Sequence, residues 1–220
     1  MWCIGTMTRQ YRERMYSLLD LYEHRGSREY PVVCMDEKSK QLLCDVRRNI
    51  PLKAGSQEKY DYEYRRKGTR NIFVAVEPFG GKRHMKVTRT RKKEDFAFFI
   101  KELLDHHYAH TKGICLVLDN LNTHFEDSFY QTFPKEEAER MMERITFYYT
   151  PKHASWLNMA EIEINMLDRE CLKGRRIGDQ HTLEAEISAW QQQRNNDIKK
   201  LNWSFTKQDA DIKLSKHYVA

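Results

Sequence analysis

The sequence predicts an α/β domain in which helices flank a mixed sheet, and three observations carry that prediction. Short apolar runs bounded by turn residues recur at Val32–Met35, Asn71–Glu77, Ile114–Leu118 and Ile145–Tyr149, as strands buried within a sheet require. Segments with apolar residues at helical spacing lie between and after them, such as Phe96, Phe99, Ile100, Leu103 and Leu104. The order is a strand meander, then alternating helix and strand, then helices, which is the pattern of an α/β layer architecture.

The elements follow from the N-terminus. Tyr11, Met15, Leu18, Leu19 and Tyr22 recur at helical spacing until Gly26-Ser27 breaks the pattern, so residues 1–29 read as an accessory helix packed on the outside of a domain at 30–220. Gln41–Asp45 is expected to fold back on Val32–Met35 through a turn at Lys38-Ser39-Lys40, and residues 46–69 read as an exposed polar loop. Pro78-Phe-Gly-Gly81 makes a hairpin turn between Asn71–Glu77 and His84–Thr90. Helices are expected over Lys93–Tyr108, Phe125–Phe133 and Lys135–Glu143, the last two separated by Pro134. A further helix runs from Asn158 to Leu172, another follows a Thr182 cap to Arg194, and a short one covers 206–215.

Composition bounds the function. A chain of 220 residues with 40% hydrophobic and 32% charged residues suits a globular protein with a substantial core, and no apolar run approaches the roughly 20 residues that span a bilayer. Arg9, Arg12, Glu13 and Arg14 interrupt any signal-peptide core. The five cysteines are scattered without CxxC spacing, which fits reduced thiols in the cytoplasm better than a disulfide framework or a zinc site. The net charge of +6 fits a polyanionic partner.

The chemistry concentrates in three carboxylates. Asp36 and Asp119 each end an apolar strand, and ligands sit at that edge of an α/β sheet. Glu161 opens the helix after the next strand, and Asn158-x-x-Glu161 has capping-box spacing, so capping competes with any other use of Glu161. If Glu161 folds back on Asn158, it is turned away from the aspartates. Three clustered carboxylates repel one another unless a cation intervenes. Hard oxygen ligands without His or Cys suit Mg²⁺ or Mn²⁺, and two ions ~4 Å apart serve in-line attack at a phosphodiester. The bland alternative is that Asp36 and Asp119 only shape turns.

Three blocks of this sequence, Val33-Cys-Met-Asp-Glu-Lys-Ser39, Leu118-Asp-Asn-Leu-Asn-Thr-His124 and Thr150 to Glu161, resemble the catalytic blocks of DDE transposases. The branch they are most similar to is the bacterial insertion-sequence one related to the mariner superfamily. Arg66-Lys-Gly-Thr69 and Trp203-Ser-Phe-Thr206 extend the resemblance over nearly the whole chain. It implies an RNase H-like fold with a central five-stranded sheet, and Asp36, Asp119 and Glu161 as catalytic, metal-binding residues. It also implies cleavage at transposon ends and 3′-hydroxyl strand transfer into target DNA. DNA is the implied partner, a homodimer is a possible assembly, and the bacterial cytoplasm and nucleoid are the expected location. The chain departs from such transposases in starting at the equivalent of the linker, near Trp2-Cys3-Ile4, without helix-turn-helix domains. A catalytically silent DNA- or transposase-binding protein and a domesticated RNase H-like nuclease therefore stand as alternatives.

Other residues are weighed around that triad. Glu163 lies about 200° from Glu161 around a helix, so both cannot face one site. Glu37 follows Asp36 on a strand and points to the opposite face. Arg65, Arg66, Lys67, Arg70, His124, Lys152, His153, Lys173, Arg175 and Arg176 are the candidate DNA contacts, with Arg89, Arg91, Lys92 and Lys93 as a further basic group. His124 has a second candidate use, orienting a carboxylate. His106, His107 and His110 read as a solvated helix end, and Trp156 and Trp190 as core residues.

Overall fold

The computed structural model describes residues 7–47, 50–59 and 61–218, so Trp2-Cys3-Ile4 lies outside the described residues. Five strands form one sheet in the order β3-β2-β1-β4-β5: β1 (Val32–Asp45), β2 (Tyr64–Glu77), β3 (Lys82–Thr88), β4 (Ile114–Leu118) and β5 (Ile145–Tyr149). The first three pair antiparallel, whereas β1, β4 and β5 run parallel. The mixed sheet expected from the sequence is present, with one substantial difference. β1 does not turn at Lys38-Ser39-Lys40 but continues to Asp45, paired along its length with β2, which begins at Tyr64 inside the expected loop. Lys38, Ser39, Lys40 and Gln41 are polar and Arg65 to Thr69 are exposed, so no continuous apolar pattern announces the outer half of this hairpin.

Alternation along the strands divides the core. Val33, Met35, Phe73, Ala75, Leu116 and Leu118 meet α2 (Lys93–Glu102), α3 (Asp127–Thr132) and α4 (Lys135–Met142) on one face. Val32, Cys34, Val76 and Val117 meet α1 (Arg9–His24), α5 (Ala160–Leu167) and α7 (Lys207–Leu214) on the other. Leu42, Ile72 and Val74 extend that second face under α6 (Gln180–Asn196) through Leu183, Ile187 and Trp190. α1 is thus bound into the core, burying Met15, Leu18, Leu19 and Tyr22 rather than lying loosely outside. Each such fully buried side chain stabilises the fold by about 1.5–3 kcal/mol.

The expected helices are present with adjusted ends. α2 continues as a turn of π-helix over Leu103–His107, and α5 does so over Asp168–Leu172. Asp179, not Thr182, caps α6, accepting the Thr182 N–H at 2.8 Å. Thr206 and Asp209 form a reciprocal capping box at the start of α7. The β2–β3 turn needs glycine at Gly81, where φ is 71° and a Cβ would meet the Ile198 backbone at 2.9 Å.

A buried ionic cluster ties α5 to β3 and α6. Glu163, fully buried, lies 2.7 Å from Arg83 Nε and 2.9 Å from Arg194 Nε. Arg83 also donates to the backbone carbonyls of Gly81, Arg194 and Lys199. Glu163 thereby fixes the rotation of α5 about its axis.

Candidate active site at the strand ends

The parallel register of β1 and β4 pairs Cys34 with Val117, and continuing it two residues brings Asp36 level with Asp119. Neighbouring strands lie ~4.8 Å apart, so the two aspartates share the same edge. Asn158 brings in the third carboxylate. Its Nδ2 donates to the Met35 carbonyl at 2.9 Å, one residue before Asp36, and its Oδ1 accepts the Ala160 N–H at 3.1 Å. The first turn of α5 is pinned to β1 by this residue, and Glu161 lies one position beyond.

The capping box expected at Asn158 does not form. Met159 occupies the N-cap position without a side-chain cap, and the Asn158 N–H donates to the Ser155 carbonyl at 2.7 Å. A short 3₁₀ turn over Ser155–Leu157 supplies that carbonyl, so the N–H that Glu161 would have bonded is already satisfied. The Glu161 side chain makes no hydrogen bond among the described residues, while its N–H donates to the Asn158 carbonyl at 3.1 Å.

Asp36 feels the charges of its acidic neighbours. Burial, together with the charges of Asp119, Glu37 and Glu161, pushes the Asp36 carboxyl up to about 7, against the lowering effect of the Glu37 N–H donating to its Oδ1 at 2.7 Å. Burial also disfavours the Asp119 anion, but bonds from His124 and the Leu121 N–H outweigh it and hold Asp119 below the usual carboxylate range. Three negative oxygen donors on one sheet edge suit a hard divalent cation. Among the described residues, no three His, Cys, Asp or Glu side chains stand close enough to enclose an ion in this conformation. The donor chemistry of the carboxylates fits such an ion.

His124 is fully buried, which removes it from the candidate DNA contacts. Its Nδ1 is 2.6 Å from Asp119 Oδ1 and its Nε2 is 2.8 Å from Glu37 Oε1. Burial alone would lower its pKa, yet the two carboxylates raise it to about 9. Glu37 does project to the face opposite Asp36, as alternation requires, and His124 meets it there. Asn120 is held at the same edge by Arg14 of α1 at 2.7 Å and by its own bond to the Thr150 carbonyl.

The basic candidates separate into paired and free. Arg65, Arg66 and Lys67 are exposed on the outer part of β2 and make no ion pair among the described residues. Arg70 is bound to Gln180 and to the Thr69 carbonyl. Arg175 forms a bidentate pair with Glu186, and Arg176 binds Asp45 and the Glu63 carbonyl. Lys152, His153 and Lys173 are exposed, the first two in the loop before α5. Arg91 acts electrostatically on Asp119 and, with Lys92, Lys93 and Thr123, lines a cleft of about 390 Å³. A basic run alone carries no sign of that nearness to Asp119. His107 stacks with ring centroids 3.6 Å apart on His84 of β3, two strands across the sheet from β1. Trp190 is buried as expected, but Trp156 is 41% exposed and stacks on Trp203 beside the loop that leads to Glu161.

Among the described residues, no helix is long and apolar enough to cross a membrane. The family model for DDE superfamily endonucleases matches residues 31–184. No curated protein matches the sequence. Among solved structures, the chain is similar to the Mos1 mariner paired end complex with Mn, at TM-score 0.58 and 12% identity, over 90% of this chain and 60% of that one. It is similar to the Mos1 strand transfer complex at TM-score 0.57 and 11% identity, over 90% and 63%. The paired end complex with Mg matches at 0.55 and 11%, over 100% of this chain and 66% of that one. The likeness at such identity is one of fold, the five-stranded RNase H-like α/β arrangement. The chain spans about 60% of the length of the first of these relatives. The three carboxylate blocks all fall inside the matched 31–184, and the chain belongs to the DDE superfamily endonuclease family.

Proposed function

We propose that this chain is the catalytic core of a transposase of the bacterial insertion-sequence branch. It would cut DNA strands at transposon ends and join the freed 3′-hydroxyl to target DNA. The observation that supports the reading is that Asp36 and Asp119 end neighbouring strands, with Asp36 pushed up to about 7 by burial and by the charges of Asp119, Glu37 and Glu161. Such a site gains a partner when a divalent cation enters. Two Mg²⁺ or Mn²⁺ ions would be held by these three carboxylates. Bound there, the cation supplies activation of the attacking oxygen and neutralises charge on the phosphodiester.

The chain's own residues supply the rest. Asn158 sets Glu161 beside Asp36, and His124 holds Asp119 by one oxygen. Arg91 beside Asp119 and the exposed Arg65, Arg66, Lys67, Lys152, His153 and Lys173 offer cations to DNA phosphates. The structures similar in fold include paired-end and strand-transfer complexes, which supports DNA as the partner and divalent metal as the cofactor. A homodimer and a place at the nucleoid in the cytoplasm complete the proposal.

The test is nicking of supercoiled DNA with Mg²⁺ or Mn²⁺ by the native protein, Asp36→Asn and Glu161→Gln. The expected result is metal-dependent nicking by the native chain alone. Nicking that survives both substitutions defeats the triad assignment, and DNA binding without nicking by the native chain favours the catalytically silent alternative.

A further inference from the structure

We propose that Glu37 is a positioning residue for Asp119, acting through His124. The inference rests on the reading of Asp119 as a cation ligand. Each imidazole nitrogen of His124 lies within hydrogen-bond distance of a carboxylate oxygen, so the ring links two side chains. The distances, 2.6 Å from Nδ1 to Asp119 Oδ1 and 2.8 Å from Nε2 to Glu37 Oε1, define a chain Glu37–His124–Asp119. His124 is fully buried and the Glu37 side chain is 3% exposed, so neither is free to meet DNA.

Several contacts make this chain rigid. The Phe96 ring packs on the imidazole with centroids 4.9 Å apart. The His124 N–H donates to the Leu121 carbonyl at 2.9 Å, and the Tyr149 hydroxyl donates to the His124 carbonyl at 3.0 Å. Among the described residues, Glu37 has no side-chain partner other than His124. Its position on β1, one residue after Asp36, ties the two aspartate-bearing strands together.

The consequence is a division of labour between the oxygens of Asp119. Oδ1 accepts from His124 Nδ1 and from the Leu121 N–H at 3.0 Å. Oδ2 has no donor among the described residues and is the oxygen left for a cation. Without Glu37, the imidazole loses the acceptor that fixes its ring plane, and Asp119 loses the donor that fixes its carboxylate. Buried partners of this kind orient a ligating group and, when removed, cost metal affinity about 10–100-fold.

The test compares Mn²⁺ binding, by calorimetric titration with MnCl₂, in the native chain, Glu37→Gln, Glu37→Met and Asp119→Asn. Gln keeps an acceptor for Nε2–H, whereas Met keeps the volume without one. The expected result is near-native affinity in the Gln variant and a loss of about tenfold or more in the Met variant. Equal affinity in the Gln and Met variants overturns the inference, because a merely space-filling role treats them alike. If the native chain and Asp119→Asn bind Mn²⁺ equally, the underlying reading of Asp119 fails instead. Glu37→Leu replaces the Met variant if that one does not fold.

Discussion

Glu161 and Glu163 leave the same helix two residues apart and enter opposite surroundings. Glu163 is fully buried, yet Arg83 and Arg194 meet its oxygens at 2.7 and 2.9 Å. Glu161 adds its charge to those of Asp119 and Glu37 in acting on Asp36, and the buried imidazole of His124 reaches only Asp119 and Glu37. One helix therefore carries a compensated carboxylate and an uncompensated one. A buried pair already answered by arginines holds the architecture together. A set of carboxylates with insufficient positive charge destabilises the chain alone and gains by taking up a cation.

The largest effect on stability is expected on the compensated side. Glu163→Ala leaves Arg83 buried without its counter-charge, which should cost about 3–5 kcal/mol. For a chain of this size that lowers Tm by roughly 10 °C, read by thermal denaturation. A Tm within a degree of the native value breaks the claim that Glu163 anchors α5.

A smaller effect is expected from pH. The folded pKa of His124, about 9, lies above the ~6.5 of an unfolded histidine. Its contribution is complete below the unfolded pKa and is lost as pH rises through about 9. Asp36 has the opposite sense for a carboxylate, because its folded pKa of about 7 exceeds the unfolded value near 3.8. It costs stability as pH rises from about 4 to 7. Melts from pH 6.5 to 10 should show a decline in the native chain that is reduced in His124→Gln, and an unchanged decline contradicts the bridge.

The smallest effects distinguish free from paired surface cations. Arg65→Ala or Arg66→Ala should weaken DNA binding and reduce the slope of log K against log salt by about 1 for each phosphate no longer neutralised. Arg175→Ala breaks an exposed pair with Glu186, should change stability by about 1 kcal/mol or less, and should leave that slope nearly unchanged. Equal slopes for all three variants dissolve the distinction.

Local chemistry makes the strand ends readable. Val32–Met35 and Ile114–Leu118 are apolar runs that stop at an aspartate, so Asp36 and Asp119 are visible without the fold. The long hairpin of β1 and β2 is not, because polar residues interrupt its outer part and its order comes from pairing between Lys38–Asp45 and Tyr64–Ile72. Asn158 stands out in the sequence for its spacing to Glu161, but its amide serves a strand 123 positions away. Glu37 and His124 are 87 positions apart, and Arg83 and Glu163 are 80. Spacing rules see partners within a turn of helix or across a short hairpin. They are blind to partners brought together by sheet order, which is why His124 reads from sequence as either a DNA contact or an orienter of a carboxylate, and its bond to Glu37 is seen only in the fold.

The most direct measurement of the contrast is thermal denaturation of the native chain, Asp36→Asn and Glu163→Gln, each with and without MnCl₂. Binding to the folded state alone raises stability by RT ln(1 + [L]/Kd), about 2.7 kcal/mol at a hundredfold excess over Kd. Mn²⁺ is expected to raise the native Tm, while Asp36→Asn should be at least as stable as native without metal and gain little from it. Glu163→Gln should start lower and still respond. A native Tm indifferent to Mn²⁺, or an Asp36→Asn chain that responds as the native one does, would contradict the division between a compensated and an uncompensated carboxylate.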